Sequence, residues 1–214
     1  SRAVPRGSAR DTYSRRVVLY DSPVSGNCYK VRLLLAHLGV EYERRFVDVV
    51  NRADRGFLDE LNPARRVPTL ILEDGRPLAE SNAILWFFGE GTRFVPDDAY
   101  ARAQVLQWMF FEQYEHEPAI AVARFLKAYS GRPELYEARR DELTKRGERA
   151  LGAMESHLES REWLVDGSMT LADVSLYAYT HAAGEGGFTL EPYPAVRAWV
   201  ERVASEPGHV TMDA

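Results

Sequence analysis

The first ninety residues alternate between short apolar runs and segments with helical periodicity. Residues 17–20, Val-Val-Leu-Tyr, are rich in strand-forming side chains and predict a first strand. Over residues 28–38, apolar side chains recur at three- and four-residue steps, and Gly39 follows as a typical residue at a helix C-terminus. The pattern continues as a strand, a short polar helix or turn, a hairpin around Asp74-Gly75, and a helix: 42–50, 52–61, 69–72 with 77–79, and 81–88.

The pattern after residue 90 is helical throughout. Residues 90–98 carry Gly, Pro and paired aspartates, which predict a linker. Pro118 predicts a kink or break inside the first long helix. Thr170 and Asp173 stand at capping-box spacing and predict the start of a later helix. The predicted helices cover 101–127, 133–158, 170–183 and 195–205.

The sequence therefore predicts an α+β protein with two domains. The order β-α-β-α-β-β-α over residues 15–90 is that of a thioredoxin-like domain, and an all-α domain follows over residues 99–214, after a linker of residues 91–98. The opening Val4-Pro5-Arg6-Gly7-Ser8 resembles the remnant of a protease-cleaved expression tag. Residues 1–14 are therefore interpreted as a tag or disordered lead and left out of the fold prediction.

Composition narrows the classes of partner. The chain has 214 residues, of which 45% are hydrophobic and 28% charged, as in ordinary globular proteins. A formal net charge of −5 argues against nucleic acid or an acidic membrane as the main partner. No apolar stretch is long enough to span a bilayer, and no signal-peptide pattern opens the chain. The single cysteine excludes an internal disulfide and indicates a reducing cytoplasm, and no metal-ligand cluster is visible.

Two dipeptides predict a ligand site. Pro68 cannot donate to a strand ladder, so Val67-Pro68 is expected at a strand start. A cis bond there, the state of about 5% of X-Pro bonds, would turn the N–H and C=O of Val67 outward to pair with a peptide-like ligand. Glu80-Ser81 opens a helix, where free N–H groups and the Ser81 hydroxyl suit a carboxylate. Together these features predict a site for a small zwitterionic peptide.

Four motifs in the same order and spacing carry a family resemblance. They are Ser25-Gly26-Asn27-Cys28-Tyr29-Lys30-Val31-Arg32, Asn62-Pro63 with Val67-Pro68-Thr69-Leu70, Glu80-Ser81-Asn82-Ala83-Ile84, and Gly167-Ser168-Met169-Thr170-Leu171-Ala172-Asp173. Over residues 17–210 the chain resembles the cytosolic glutathione transferases, particularly bacterial members with a serine-type active site. The resemblance implies glutathione as co-substrate, a glutathione-binding N-terminal domain, an all-helical C-terminal domain, a homodimer and a role in detoxification.

The chemistry of such an enzyme needs an ionised sulfur. A free thiol has a pKa of roughly 8.5 to 9, and lowering it by two units stabilises the thiolate by about 2.7 kcal/mol. A hydroxyl beside a helix N-terminus supplies a hydrogen bond and a favourable dipole. By register with the family motif, Ser25 is expected to be this catalytic hydroxyl. Asn27 is expected either to add a donor or to cap the helix.

The resemblance also assigns the rest of glutathione to this chain. Val67, before Pro68, would pair with its backbone, Glu80 would hold the γ-glutamyl amine, and Ser81 would hold the γ-glutamyl carboxylate. Arg66 stands where the family often has lysine, and is expected to bind the glycyl carboxylate. Arg65 stands where the pattern usually has glycine, which is a departure from the family. The second substrate is expected in an apolar cleft between the domains, with candidate lining residues Trp108, Phe111, Tyr114 and His116.

Three functions follow from these residues. The first is transfer of glutathione to an electrophilic, mostly apolar small molecule; isomerisation, ether cleavage or peroxide reduction would use the same thiolate. The second is a monothiol reductase in which Cys28 forms a mixed disulfide with glutathione. The third is a non-catalytic interaction protein that keeps the fold, since fold alone does not determine activity.

Overall fold

The structure, a computed structural model, describes residues 17–51, 56–165 and 167–214. The predicted lead, residues 1–14, lies outside the described residues, as do residues 52–55 of the predicted polar helix or turn. The N-terminal part contains β1 (Val17–Asp21), α1 (Gly26–Leu38), β2 (Tyr42–Phe46), a 3₁₀ turn (Gly56–Leu58), β3 (Thr69–Ile71), β4 (Pro77–Ala79) and α2 (Ser81–Gly89).

The four strands form one mixed sheet in the order β2-β1-β3-β4. β1 runs parallel to β2, with Leu19 opposite Arg44, and antiparallel to β3, with Leu19 opposite Leu70. Leu19 and Leu70 are fully buried, as expected for strands covered by helices. The predicted strand, helix and hairpin order is confirmed, and the domain is thioredoxin-like.

Two boundaries near the start of the chain differ from the prediction. The second strand ends at Phe46 and not at Val50, because Asp48 Oδ1 accepts from the backbone N–H groups of Val50 and Asn51, at 2.9 Å each, and closes a turn. The first helix begins at Gly26, two residues before the predicted start. Its N-cap is Ser25, which ends the loop that follows β1.

The rest of the chain is helical. It contains α3 (Ala99–Phe111), a first π turn (Glu112–His116), α4 (Glu117–Arg124), a second π turn (Phe125–Tyr129), α5 (Pro133–Glu137), α6 (Arg140–Leu158), α7 (Leu171–Thr180), a 3₁₀ turn (Ala183–Gly186) and α8 (Pro194–Ser205). The predicted helix over 133–158 is interrupted between α5 and α6. The helix after Thr170 ends at Thr180, before the predicted residue 183. None of the described helices is long and apolar enough to cross a membrane.

Pro118 does not break the long helix; a π turn precedes it. The Glu117 N–H bonds to the Glu112 carbonyl, five residues back, so the helix is widened where Pro118 follows. Proline has no N–H, and the Tyr114 carbonyl four residues before it accepts instead from Arg146 Nη2 at 3.3 Å. The helix therefore continues from α3 into α4 with a changed register.

One continuous core joins the two parts of the chain. It runs from Leu70 in the sheet and Ile84 in α2 to Val174 in α7 and Trp199 in α8. α1 contacts both α2 and α7, so it lies between the sheet domain and the helical domain. The N-terminus of α1 is consequently held at the domain boundary, where the predicted site lies.

The start of α7 is fixed by the predicted capping box, which is confirmed. Asp173 is fully buried and its carboxylate accepts from the N–H and hydroxyl of Thr170, the N–H of Leu164 and the Trp199 indole. Thr170 Oγ1 in turn accepts from the Ala172 N–H. Burial raises the pKa of Asp173, and its four donors oppose that rise. The box thus ties α7 to α8.

Candidate functional site

Ser25 lies where the loop after β1 meets α1. Its φ and ψ of −86° and 115° are those of an N-cap, and its Oγ accepts from the Cys28 N–H at 3.2 Å. Because that bond uses a lone pair, the hydroxyl proton of Ser25 remains available for an acceptor in the adjoining cleft. The hydroxyl therefore stands at the positive end of a helix, where an anion is stabilised.

Asn27 lies in the first turn of α1, and its side chain does not cap the helix. Its Nδ2 donates to Glu117 Oε1 at 3.1 Å, and its Oδ1 accepts from the Ser81 hydroxyl at 3.2 Å. Its backbone N–H donates to the Tyr179 hydroxyl at 3.2 Å. Tyr179 packs so close to Gly26 that a Cβ there would come within 2.4 Å of the ring. Glycine is thus required where α1 meets α7.

The Val67-Pro68 bond is cis. Among the described residues, no group bonds to the N–H or the C=O of Val67. The loop before it is held by buried Asn62, whose Nδ2 donates to the Arg66 carbonyl at 3.0 Å and to Thr69 Oγ1 at 3.1 Å. Asn62 thus holds the Arg66 backbone in place, and the Arg66 side chain is exposed.

Arg65 adopts the left-handed conformation, with φ of 51°. This region favours glycine, which accounts for the residue that the family pattern has here. The Arg65 guanidinium pairs with Asp59, donating to Oδ2 at 2.6 Å. The loop therefore keeps the backbone shape that the pattern requires although the residue differs.

Glu80 and Ser81 differ sharply in exposure. Glu80 is exposed and has φ of 68°, a conformation that costs a non-glycine residue about 1–3 kcal/mol. Ser81 is only 4% exposed at the start of α2. Its Oγ accepts from Lys30 Nζ at 3.4 Å while its hydroxyl donates to Asn27. Ser81 is thus joined to the site through Asn27.

A cleft of about 920 Å³ lies between the two parts of the chain. It brings together four of the predicted residues, Ser25, Asn27, Arg66 and Val67; Pro68, Glu80 and Ser81 are not among its lining residues. The helical wall comes mainly from α4, the second π turn and α7: Glu117, Ala121, Val122, Arg124, Phe125, Tyr129 and Tyr179. Residues Val24, Val49, Ala64 and Arg65 complete the lining.

The four residues expected to line the second-substrate pocket lie elsewhere. Trp108 is buried against Phe111 and His157, with ring centroids 5.2 and 4.7 Å away. Tyr114 is 75% exposed on the outer surface. His116 is fully buried, with Nε2 2.9 Å from Thr180 Oγ1, and burial lowers its pKa to about 3. The structure does not bring these side chains to the cleft.

The cleft wall that sequence reasoning missed lies further along the same long helix. Glu117, Ala121 and Phe125 follow one another at four-residue steps, a spacing visible in the sequence. Arg124 is 4% exposed and donates through Nη1 to the Val24 carbonyl at 2.6 Å, beside Ser25. It also pairs with Glu185 at 3.1 Å. The helical domain therefore braces the loop that carries Ser25.

Cys28 is fully buried under the first turn of α1. Burial and the nearby Asp21 carboxylate raise the pKa of its thiol to about 12, although the Ser25 hydrogen bond opposes the rise. A thiol in this state is neither ionised nor accessible near neutral pH. Within the described residues, no group of three or more His, Cys, Asp or Glu side chains forms a metal site.

Comparison with known proteins agrees with this fold. Residues 24–90 match the family described as glutathione S-transferase, N-terminal domain, and residues 108–207 match glutathione S-transferase, C-terminal domain. The chain is 31% identical over 198 residues to glutathione S-transferase 2 of Anopheles gambiae, covering 88% of this chain and 91% of that protein.

Two solved structures show the same architecture. A glutathione S-transferase from Pseudomonas fluorescens superimposes with a TM-score of 0.87 at 48% identity, covering 92% of this chain and 98% of that chain. The yeast protein Ure2p in complex with glutathione superimposes with a TM-score of 0.80 at 25% identity, covering 90% of this chain and 95% of that one.

Proposed function

The chain belongs to the glutathione S-transferase family, and we propose that it is a serine-type enzyme that transfers glutathione to an electrophilic, mostly apolar small molecule. The observation that carries this proposal is the position of Ser25, which lines the cleft at the N-terminus of α1 and whose hydroxyl oxygen accepts from the Cys28 N–H. A hydroxyl so placed donates to a sulfur anion and adds the helix dipole. Both effects lower the pKa of a bound thiol.

The other predicted residues fit the two ends of the tripeptide. Val67, whose backbone N–H and C=O have no partner among the described residues, would pair with the cysteinyl segment, and Arg66 offers a guanidinium for the glycyl carboxylate. Ser81 opens α2 beneath the γ-glutamyl end, and Glu80 lies at the same helix start for its amine. The bound Ure2p structure supports glutathione as the ligand of this fold.

The reaction follows from this placement. Loss of the thiol proton to solvent leaves a thiolate that Ser25 stabilises; the sulfur then forms a bond to an electrophilic carbon. The bond from that carbon to its leaving group breaks, and the leaving group departs with the electron pair. The apolar side chains Ala121, Val122 and Phe125 on the opposite wall would hold the electrophile. Proximity and preorganised donors supply the rate enhancement.

We extend the proposal to the biological role, cellular location and source of the protein. Clearing reactive electrophiles, or detoxification, is the role that this chemistry serves. A reducing cytoplasm keeps the co-substrate thiol available and agrees with a chain of one cysteine. The 48% identity to the Pseudomonas fluorescens protein supports a bacterial source.

A reductase that uses Cys28 is not supported by the geometry. The thiol is fully buried and its pKa is raised to about 12, so it cannot attack a disulfide at neutral pH without exposure. A non-catalytic protein would not need the Ser25 hydroxyl, the Val67 backbone and the Arg66 guanidinium around one cleft. The transferase proposal uses all three.

A homodimer is the proposed assembly. Large aromatic side chains stand on the outer surface of α3 and the following π turn: Tyr100, Phe110 and Tyr114 are 72%, 69% and 75% exposed. Phe57, 53% exposed, stands out from the sheet domain of the same chain. A second copy that buries these rings would remove apolar surface that a monomer rarely exposes. Light scattering on the wild type and on Phe110→Ser tests the proposed homodimer. A monomeric wild type contradicts it.

The decisive experiment measures glutathione affinity and conjugation together. Calorimetry should show saturable binding, and mixing with 1-chloro-2,4-dinitrobenzene and a panel of other electrophiles should give thioether products. Arg66→Ala should raise the KM for glutathione about tenfold with kcat little changed, as a lost charge-assisted bond predicts. Arg76→Ala is the matched control, since Arg76 is exposed on the hairpin and pairs with Asp74. No binding of millimolar glutathione to folded protein would reject the proposal.

A further inference from the structure

Lys30 is a buried cation directly beneath the site. It lies in the second turn of α1, and its side chain has no exposed surface. Its Nζ is 2.8 Å from Oε1 of Glu112, which is equally buried in the first π turn. It also lies 5.8 Å from the ring centroid of Tyr179, a residue of the cleft.

The ammonium group also reaches the start of α2. Lys30 Nζ donates to Ser81 Oγ at 3.4 Å, and the Ser81 hydroxyl donates to Asn27 Oδ1 at 3.2 Å. Because Lys30 uses the oxygen of Ser81 as an acceptor, the Ser81 proton points away from it, toward Asn27, which lines the cleft. The Ser81 side chain therefore lies between the Lys30 ammonium group and the place proposed for the γ-glutamyl end of glutathione.

The negative partner of Lys30 is shared among several donors. Glu112 Oε2 accepts from Asn82 Nδ2 at 3.1 Å and from the Ser175 hydroxyl at 3.3 Å. Burial raises the pKa of Glu112, while Lys30 and Asn82 oppose the rise. The carboxylate is therefore held on the α7 side of the network and Lys30 on the Ser81 side.

Stability alone does not account for such a pair. Taking two charges out of water carries a desolvation penalty that can exceed their attraction, and a well-packed apolar pair is often as stable. A positive charge at low dielectric, however, acts strongly on a nearby anion. Because Lys30 lies beside Ser81, its positive charge would favour a ligand carboxylate at that place.

We propose that Lys30 is a positioning and specificity-determining residue, which orients the Ser81 hydroxyl and makes the site favour ligands with a carboxylate at the γ-glutamyl end. This inference rests on glutathione being the ligand. On binding, the Ser81 proton turns from Asn27 Oδ1 to the ligand carboxylate, and Lys30 keeps its bond to Ser81 Oγ. Lys30 touches Ser81, and acts on the ligand through it.

The test compares two ligands on matched variants. The probes are glutathione and γ-aminobutyryl-cysteinyl-glycine, which is the same tripeptide without the α-carboxylate. Calorimetry gives the ratio of their dissociation constants for the wild type, Lys30→Met and Lys30→Met/Glu112→Leu. The double variant removes both charges together, so it folds even where the unpaired glutamate of Lys30→Met would not be tolerated. Arg32→Met controls for loss of another buried cation of α1, which pairs with Asp21.

The wild type should favour glutathione, and both Lys30 variants should lose about tenfold of that preference, the size of one charge-assisted bond. Arg32→Met should keep the wild-type ratio. Glu112→Gln should increase it, because Lys30 then loses its counter-charge; general damage to the site would lower the preference and not raise it.

Two results would separate the inference from the proposed function. If the wild type binds glutathione and the double variant keeps the wild-type ratio, Lys30 has no role in selecting the carboxylate, although the transferase proposal stands. A wild type that binds both ligands equally also overturns the inference. If the wild type binds neither ligand, the proposed function itself fails.

Discussion

Ser25 Oγ caps α1 and, in the proposed mechanism, also stabilises the thiolate. Comparing two replacements of Ser25 separates these two roles. Ser25→Ala removes the bond from the Cys28 N–H, and loss of such a cap lowers the free energy of unfolding by about 1 kcal/mol. For a chain of this length, that corresponds to a fall in Tm of about 2–4 °C. Glycine at an N-cap lowers stability by only a few tenths of a kcal/mol, so Ser25→Gly keeps most of the stability but lacks the hydroxyl.

The two variants should therefore differ in stability and agree in chemistry. A hydrogen bond to a charged group contributes about 1.5–3 kcal/mol, which corresponds to a rise of about one to two units in the pKa of the bound glutathione thiol. Ser25→Thr keeps a hydroxyl and should stay near the wild type. The helix dipole remains in every variant, so the thiol pKa should stay below that of free glutathione.

The assay follows the ultraviolet absorbance of the thiolate across pH in each saturated complex, with conjugation rates measured beside it. The reasoning is refuted if Ser25→Ala and Ser25→Gly leave the thiol pKa unchanged. It is also refuted if the pKa of the complex follows thermal stability across the variants, since the effect would then come from the cap and not from the hydroxyl.

Three further predictions concern buried groups. Asp173→Ala should lower the free energy of unfolding by about 3–5 kcal/mol in urea titrations, since it leaves four donors, including the Trp199 indole, without their acceptor; a loss below 1 kcal/mol would contradict the capping network. Cys28 should resist thiol reagents in the folded protein and react only on unfolding, and stoichiometric labelling of native protein within minutes would contradict its burial. His116 has a folded pKa of about 3 against 6.5 when exposed, so the unfolded state binds more protons between these values and stability falls as pH drops through that window. His116→Gln should flatten this loss by up to about 1.4 kcal/mol per pH unit, and parallel curves for the two proteins would refute it.

Local signals in the sequence were enough for the parts of the site that depend on short motifs. Val67-Pro68 lies between a basic loop and a strand, where a cis bond would turn the N–H and C=O of Val67 outward. The structure has this cis bond. Thr170 and Asp173 predicted a capping box because both halves of it lie within one helical turn. Ser25 was found by register with a family motif, and the structure places it at the cleft.

The part of the long helix that lines the cleft was not predicted, although its four-residue spacing is visible in the sequence. The candidates Trp108, Phe111, Tyr114 and His116 all lie before Pro118 in the long helix, and the cleft is lined by residues that follow the first π turn. A π turn adds a residue to its turn and rotates all that follows by about 100°. After the turn at Glu112–His116, the face that reaches the cleft carries Ala121 and Phe125.

Buried charge was the other feature that pattern analysis missed. Residues 28–38 show one apolar stripe, which suggests a helix with one solvent-facing side. α1 is instead covered on two sides, by α2 and by α7, so Lys30 and Arg32 are buried as well. Partners distant in sequence accommodate these charges: Lys30 pairs with Glu112, and Arg32 pairs with Asp21 and donates to the Met212 carbonyl.

The core shared by the two parts of the chain limits how members of this family can be recombined. The ring of Tyr179 fills the space beside Gly26, and α1 packs on α7. In a chimera joined within residues 91–98, α1 and α7 would come from different parents. They would pack poorly unless both parents have the same residues at positions 26 and 179. For the proposed transferase, new electrophile preferences are therefore reached more readily by exchanging side chains within α4, such as Ala121 and Val122, than by exchanging whole halves.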